Sequence, residues 1–246
     1  MAGNAAYFVS DAHFGLNPDE RVKVRLFAEL AAKMRADAAD VFLVGDMFDF
    51  WVEYGSVIRR DYFLILHELR GLVEAGVRVH YVCGNHDFAI GTFLEETVGV
   101  QVHRGGVDME FSGRKAHICH GDKVCNNSLT QIAYALLRNR RLQAIYKLIH
   151  PDIGVMLGKT FSAVSKSLYG GRELPPRVAN KYRRAAAARM RAGECDLVVM
   201  AHTHHADLVN FGGGDYCNTG SWANDYTYAV LRDGKIELLK WDIDNP

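Results

Sequence analysis

The sequence predicts an α/β layered domain. Two observations carry that reading. Short apolar, β-branched runs alternate with stretches of helical periodicity, and several of those runs end in Asp, His or Asn. Alternating strands and helices place helices against the faces of largely parallel sheets. In such sheets the functional crevice lies outside the carboxyl ends of the strands. At about 150 residues per domain, a chain of 246 residues has room for one or two domains. We read one domain, 1–246, carrying a helical insertion at 126–191.

The first apolar run, Ala6 to Ser10, begins almost at Met1, so no secretory leader is expected. Val22 to Met34 reads as a helix, with Val24, Phe27, Leu30 and Ala31 at helical spacing. Val41 to Val44 is the next strand. Val57 to Ala75 repeats the helical pattern through Phe63, Leu66, Leu69 and Val73, and Val77 to Cys83 follows as a strand. Phe93 to Val98 is a short helical candidate. Ala116 to Cys119, Leu197 to Met200 and Tyr216 to Asn218 are further strands. From Tyr216 to Trp241 the chain reads as β-rich, with turns at Asn224–Asp225 and Asp233–Gly234. In the insertion the strand rhythm stops. Leu129 to Ile149 reads as one helix, with Ile132, Leu136, Ile145 and Leu148 apolar and Pro151 ending it. Asp152 to Leu168 reads as a second helix, and Asn180 to Arg191 as a third, very basic one. Gly170–Gly171 and Pro175–Pro176 mark the loop between them.

Composition narrows the class. Hydrophobic residues at 49% and charged residues at 24% exclude a disordered or collagen-like chain. No apolar run approaches the roughly 18 residues of a membrane span. The five cysteines are an odd number without a C-x-x-C, which argues against a disulfide framework or a thiolate zinc site and fits a reducing compartment. Basic and acidic residues balance at 29 each, which argues against a general nucleic-acid binder. The balance is uneven along the chain, however. Residues 123–191 hold 14 basic and two acidic side chains, a net +12, so the remainder carries −12. Basic helices that also carry Leu, Ile, Phe and Tyr read as membrane-surface elements.

The chemistry lies where the strands end. Ala6 to Ser10 runs into Asp11-Ala12-His13, and Val41 to Val44 into Gly45-Asp46. Val77 to Cys83 runs into Gly84-Asn85-His86-Asp87, Ala116 to Cys119 into His120-Gly121-Asp122, and Leu197 to Met200 into Ala201-His202-Thr203-His204. Each phrase alone is more often a turn or a strand end. Five of them, each after an apolar run, make a metal cluster. Oxygen and imidazole ligands without sulfur suit Mn, with Fe or Zn as substitutes. His67, His80, His103, His117, His150 and His205 fall outside the cluster and read as structural or surface residues.

The order D-x-H, G-D, G-N-H-D, lone His, H-x-H resembles the calcineurin-like metallophosphoesterases. The resemblance implies a four-layer α/β/β/α sandwich with a helical lid, and two divalent metal ions. It implies that Asp11, His13 and His204 hold one metal, that Asn85, His120 and His202 hold the other, and that Asp46 bridges them. It makes His86 a transition-state stabiliser or proton donor, helped by Asn85, with Asp87 orienting the His86 ring. Metal ions of this kind activate water at neutral pH and clamp an in-line displacement at phosphorus. Ala201 stands where that family usually has Gly.

The phrase Gly45-Asp46-Met47-Phe48-Asp49-Phe50-Trp51, the insertion after His120-Gly121-Asp122 and the closing Gly220-Ser221-Trp222 are similar to the UDP-2,3-diacylglucosamine diphosphatases of lipid A synthesis. That resemblance implies cleavage of a UDP-diacylglucosamine lipid to UMP and lipid X, with Mn. It implies a cytoplasmic enzyme peripheral to the inner membrane, whose basic lid meets the anionic surface, and no nucleic-acid partner. The alternative is a related phosphodiesterase or nuclease. Ser165, Lys166, Tyr169 and Arg172 fall where that group binds substrate, together with Asn85, His86 and His202. His86 stands where the best-known form has Arg.

Overall fold

The computed structural model describes every residue except 1–3, 18–19, 112, 125–135, 137–138, 159, 161–173 and 244–246. Its frame is a pair of sheets. The chain runs β1 (Ala5–Val9), α1 (Arg21–Asp37), β2 (Ala38–Leu43), a 3₁₀ turn (Arg60–Tyr62), α2 (Phe63–Glu74), β3 (Arg78–Val82), a π turn (Leu94–Val98) and β4 (Gln101–His103). After β5 (Val107–Phe111) and β6 (Arg114–Ile118) come α3 (Arg140–Tyr146) and α4 (Pro176–Arg191). The last strands are β7 (Leu197–Met200), β8 (Ala206–Asn210), β9 (Asp215–Thr219), β10 (Thr227–Arg232) and β11 (Lys235–Lys240). The first sheet has the order β11-β10-β1-β2-β3-β4 and the second β5-β6-β7-β9-β8. Strands β1 to β4 are mutually parallel, as are β6, β7 and β9.

Period-two alternation divides the core into layers. Tyr7, Val9, Val41, Leu43, Val79 and Tyr81 face α1 and α2. Their neighbours Phe8, Phe42, Val44 and Val82 face the second sheet, meeting Ile118, Leu197, Val199 and Cys217. On that sheet's far side Val198, Met200 and Tyr216 pack on Tyr182 and Ala186 of α4. The result is helices, sheet, sheet, helix, the α/β/β/α sandwich the sequence resemblance implied.

Several local expectations need correction. The buried stripe of α1 is Lys23, Leu26, Phe27, Leu30, Ala31 and Met34, and Val24 is only partly covered. In α2 the stripe is Ile65, Leu66, Leu69 and Leu72. Phe63, expected inside, is 66% exposed, because at the helical period it falls well off the stripe centred on Ile65, Leu66, Leu69 and Leu72. Residues 57–59 are not helical. The expected helix over 129–149 is not continuous. Asn139 is extended at φ −70°, ψ 118°, and its side chain accepts the N–H groups of Arg141 and Leu142, capping a new helix. Residues 152–158 and Thr160 are helical, as expected, and 159 and 161–168 lie outside the described residues. Pro176 opens α4 four residues before the expected start, since its fixed φ suits a first helical position. Strands β4, β5 and β8 were not expected, although Val107-Asp108-Met109-Glu110-Phe111 of β5 alternates apolar and polar residues. β5 and β8 expose alternate residues at sheet edges.

Phe42 is the centre of the inter-sheet core. It stacks on Phe8 and His80, at centroid distances of 5.2 and 4.4 Å, and meets Phe111 edge-on at 5.7 Å. Phe42→Ala should therefore lower stability by about 3–5 kcal/mol, read from urea unfolding. A loss under about 1 kcal/mol would mean that the two sheets do not share this core.

Candidate metal centre

Five parallel strand ends from the two sheets meet at one rim. Backbone hydrogen bonds stitch them there. Asp11 N–H donates to Gly45 O (3.1 Å), Trp222 N–H to Ser10 O (3.0 Å) and Ala201 N–H to His120 O (3.0 Å). The turns are tight. Among the described residues, seven that are not glycine have positive φ, and five of these are Asp11 (49°), His13 (46°), Asp46 (53°), His202 (71°) and His204 (58°). Left-handed backbone is strained for such residues and persists only where the surroundings over-determine it. Gly45 and Gly84 allow the approach. A Cβ on Gly45 would meet the His120 ring, and one on Gly84 would meet the Asp46 carboxylate.

The side chains converge as three sets of potential ligand atoms, each within 4.8 Å: Asp11, His13 and His204; Asp46, His120 and His202; and His13, Asp46 and His86. Asp46 belongs to two of the sets. Asp11 Oδ2 accepts Ser10 Oγ–H (2.7 Å) and His202 N–H (3.1 Å). Its Oδ1 receives no hydrogen bond and faces His204 Nε2 at 3.2 Å. Asp46 divides its oxygens likewise. Oδ1 accepts His86 N–H (2.8 Å), and Oδ2 lies 3.3 Å from His120 Nε2. His120 Nδ1–H donates to Val44 O (2.8 Å). Its Nε2 is therefore the ring nitrogen turned to the cluster, 3.0 Å from Asn85 Oδ1 and 3.2 Å from His202 Nδ1, and is the atom a cation would take in place of a proton. His13 Nε2 faces His204 Nε2 at 3.4 Å. Buried imidazole nitrogens and carboxylate oxygens that converge within 4.8 Å of one another fit divalent cations.

The field asks for positive charge. Burial opposes protonation of His120, but the Asp46 carboxylate outweighs it and lifts the ring to about 10. His204 is raised too, because Asp11 overcomes its burial. Burial would lift Asp11, yet the His204 ring holds it at about 2. His202 falls to about 4 through burial and its neighbour His120. Asp87 rises to about 6 through burial and the Asp46 carboxylate.

His86 is set by a group that the sequence did not mark. Its Nδ1–H donates to Asp49 O at 2.6 Å, leaving Nε2 for other work. The expectation that Asp87 orients this ring needs correction. Asp87 Oδ2 accepts Gly84 N–H (2.7 Å) and Asp46 N–H (3.2 Å), and Oδ1 accepts Tyr81 O–H (2.7 Å). A carboxylate used in this way braces the two metal-bearing turns. Other contributors were missed as well. Ser10 holds Asp11, and Ser221 Oγ–H donates to Asp11 O (3.0 Å). Only the Gly220-Ser221-Trp222 phrase hinted at the second. Phe48 and Trp51 of the 45–51 phrase are core residues. Ser165, Lys166, Tyr169 and Arg172 lie outside the described residues. His80 sits away from the centre, between Asp40 and His103.

A two-sheet sandwich whose parallel strands deliver buried Asp, His and Asn to one rim defines a metallophosphoesterase. The chain belongs to the calcineurin-like phosphoesterase family, matching it over residues 6–206, and is a hydrolase of that class. It is 30% identical over 256 residues to a Porphyromonas gingivalis protein named UDP-2,3-diacylglucosamine hydrolase, covering 95% of this chain and 96% of that one. A Neisseria gonorrhoeae protein of the same name is 29% identical over 232 residues, covering 93% and 94%. Among solved structures, an archaeal phosphodiesterase shares the fold at a TM-score of 0.50 and 14% identity, over 96% of this chain and 99% of that one.

Asp46→Asn keeps the side chain's shape and removes its charge. We expect a folded protein with a native circular dichroism spectrum, less bound metal, and activity on a small chromogenic phosphodiester reduced more than about 100-fold, beyond the 10–100-fold of changes one shell out. Full activity would refute Asp46 as a ligand.

Proposed function

We propose that this protein hydrolyses the pyrophosphate of UDP-2,3-diacylglucosamine, giving UMP and 2,3-diacylglucosamine 1-phosphate, with two divalent ions, Mn by preference. The observation that carries the reading is the pairing of the metal centre with an apolar, basic insertion beside it. Two relatives of this name spanning nearly the whole chain support it. Bound metal would supply Lewis acidity and a nucleophile from water. Asp11, His13 and His204 would hold one ion, Asn85, His120 and His202 the other, and Asp46 both.

The chain's own groups do the remaining work. Two carboxylates against two divalent ions leave the centre positive, so it attracts the pyrophosphate. Asn85 Oδ1 is turned toward His120, which leaves its amide N–H groups for a phosphoryl oxygen. His86, with Nδ1 committed to Asp49 O, presents Nε2 to the same group and steadies the charge that develops there. Water attacks the α-phosphorus and gives up a proton to solvent, the bond from that phosphorus to the bridging oxygen breaks, and the lipid phosphate leaves with that oxygen.

The insertion has the chemistry for the rest of the substrate. Leu142, Ile145, Leu148, Ile153, Met156 and Leu157 are exposed, and so are Arg140, Arg141 and Lys147. Apolar side chains interleaved with cations suit acyl chains and an anionic leaflet. We place the enzyme on the cytoplasmic face of the inner membrane. No helix among the described residues is long and apolar enough to cross it. Ser165, Lys166, Tyr169 and Arg172 complete the substrate contacts in this reading.

UMP release from UDP-2,3-diacylglucosamine with Mn present is the direct test, and in ¹⁸O-water the label should enter UMP. Label in the lipid phosphate would overturn attack at the α-phosphorus. Salt-sensitive binding and cleavage of DNA or RNA, without turnover of the lipid nucleotide, would favour a nuclease instead.

Neutralising Arg140, Arg141 and Lys147 together should weaken binding to anionic vesicles by roughly 100-fold, at about 1 kcal/mol per charge. KM for the lipid should rise while turnover of a small phosphodiester barely changes. Equal losses on both substrates would mean that the insertion supports the metal centre.

A further inference from the structure

One buried cation acts on the donor cluster through the backbone. Lys23 lies on the buried stripe of α1, where the helical period calls for an apolar side chain, and is 9% exposed. Its Nζ donates to Ala12 O at 2.7 Å, His13 O at 3.1 Å and Glu20 Oε1 at 3.0 Å. The Nζ also sits 4.9 Å from the centre of the Phe14 ring. Glu20 secures the other half of the same loop. Its Oε2 accepts Gly15 N–H at 2.6 Å and its Oε1 accepts Asn17 N–H at 3.0 Å.

These contacts all fall on the turn that carries Asp11 and His13. Both residues are left-handed, at φ 49° and 46°. Lys23 is the donor to Ala12 O, and it shares His13 O with Leu16 N–H at 3.4 Å; a buried carbonyl needs a donor. An ammonium has three N–H groups, and among the described residues three acceptors stand within 3.1 Å. A buried charge without such partners would be strongly unfavourable. A cation breaking an otherwise apolar stripe is the kind of local inconsistency that accompanies functional sites.

We propose that Lys23, held by Glu20, is a positioning residue of the metal centre. It draws the Ala12 and His13 carbonyls together, fixes the strained turn, and so presents Asp11 and His13 to the cation in advance of binding. The inference rests on the metal-centre reading given above, but not on the identity of the substrate.

The test is Mn²⁺ titration of the full chain by calorimetry, without substrate, on Lys23→Met, Lys23→Arg, Glu20→Ala and Asp11→Asn. Lys23→Met suits the apolar stripe and keeps the length. It should raise the Mn²⁺ dissociation constant about 10–100-fold, as loss of a group behind a ligand does. Lys23→Arg retains donors for both carbonyls and should recover most of the affinity. Thermal stability without added metal does not discriminate, because a purely structural lysine would move it as well. Wild-type Mn²⁺ affinity in Lys23→Met, with affinity lost in Asp11→Asn, overturns the positioning role alone. Wild-type affinity in both variants overturns the ligand assignment with it. If Lys23→Met does not fold, Glu20→Ala carries the test. Weakened Mn²⁺ binding supports the clamp, and unchanged binding overturns it.

Discussion

Asp11 and Asp46 are almost wholly buried, and the structure around them is arranged to let their charges stay there. Taking a carboxylate out of water costs several kcal/mol even after relaxation. Each is served in two ways. One oxygen takes a backbone N–H, from His202 or His86. The other turns to imidazoles that its own field draws toward the charged form. The fold thus holds a concentrated negative site, which divalent cations would neutralise better than protons can.

That requirement explains features that look costly in isolation. The turns after β1, β2 and β7 hold non-glycine residues in left-handed backbone. Relaxing them would swing the ligands out of the rim. Glycine appears where one turn passes another, at Gly45 against His120 and Gly84 against Asp46. Asp87, Tyr81 and Ser10 spend their polar atoms on bracing these turns. They act by making one arrangement of the rim the only satisfied one, as pre-organised sites require.

The charge balance has a structural resolution. The basic stretch is not a uniform patch. Arg183 of α4 pairs in two hydrogen bonds with Asp207 of β8, and Arg189 pairs with Glu194. Helix α4 is the outer layer of the sandwich, so some of the +12 neutralises the body that carries −12. Exposed cations remain on α3, beside exposed Leu142 and Ile145. Net charge counted along the chain overstates what a partner would meet.

The sequence by itself determined the alternation of strands and helices and the phrases that end the strands. Both follow from short-range pattern: period-two and helical apolar spacing, and the polar residues after each run. Phe8, Val9, Leu43 and Val199 are buried where such spacing puts them. The edge strand β8 was illegible because Ala206–Asn210 lacks apolar alternation, whereas Val107, Met109 and Phe111 of β5 alternate with polar residues and do carry the half-buried strand pattern. The break at Asn139 was hidden inside a continuous helical pattern. Lys23, the Asp49 carbonyl and the bracing role of Asp87 were decided only by tertiary structure. A backbone carbonyl leaves no mark in a sequence, and whether a lysine or aspartate is solvated or buried against its partners depends on which distant segments the fold brings to it.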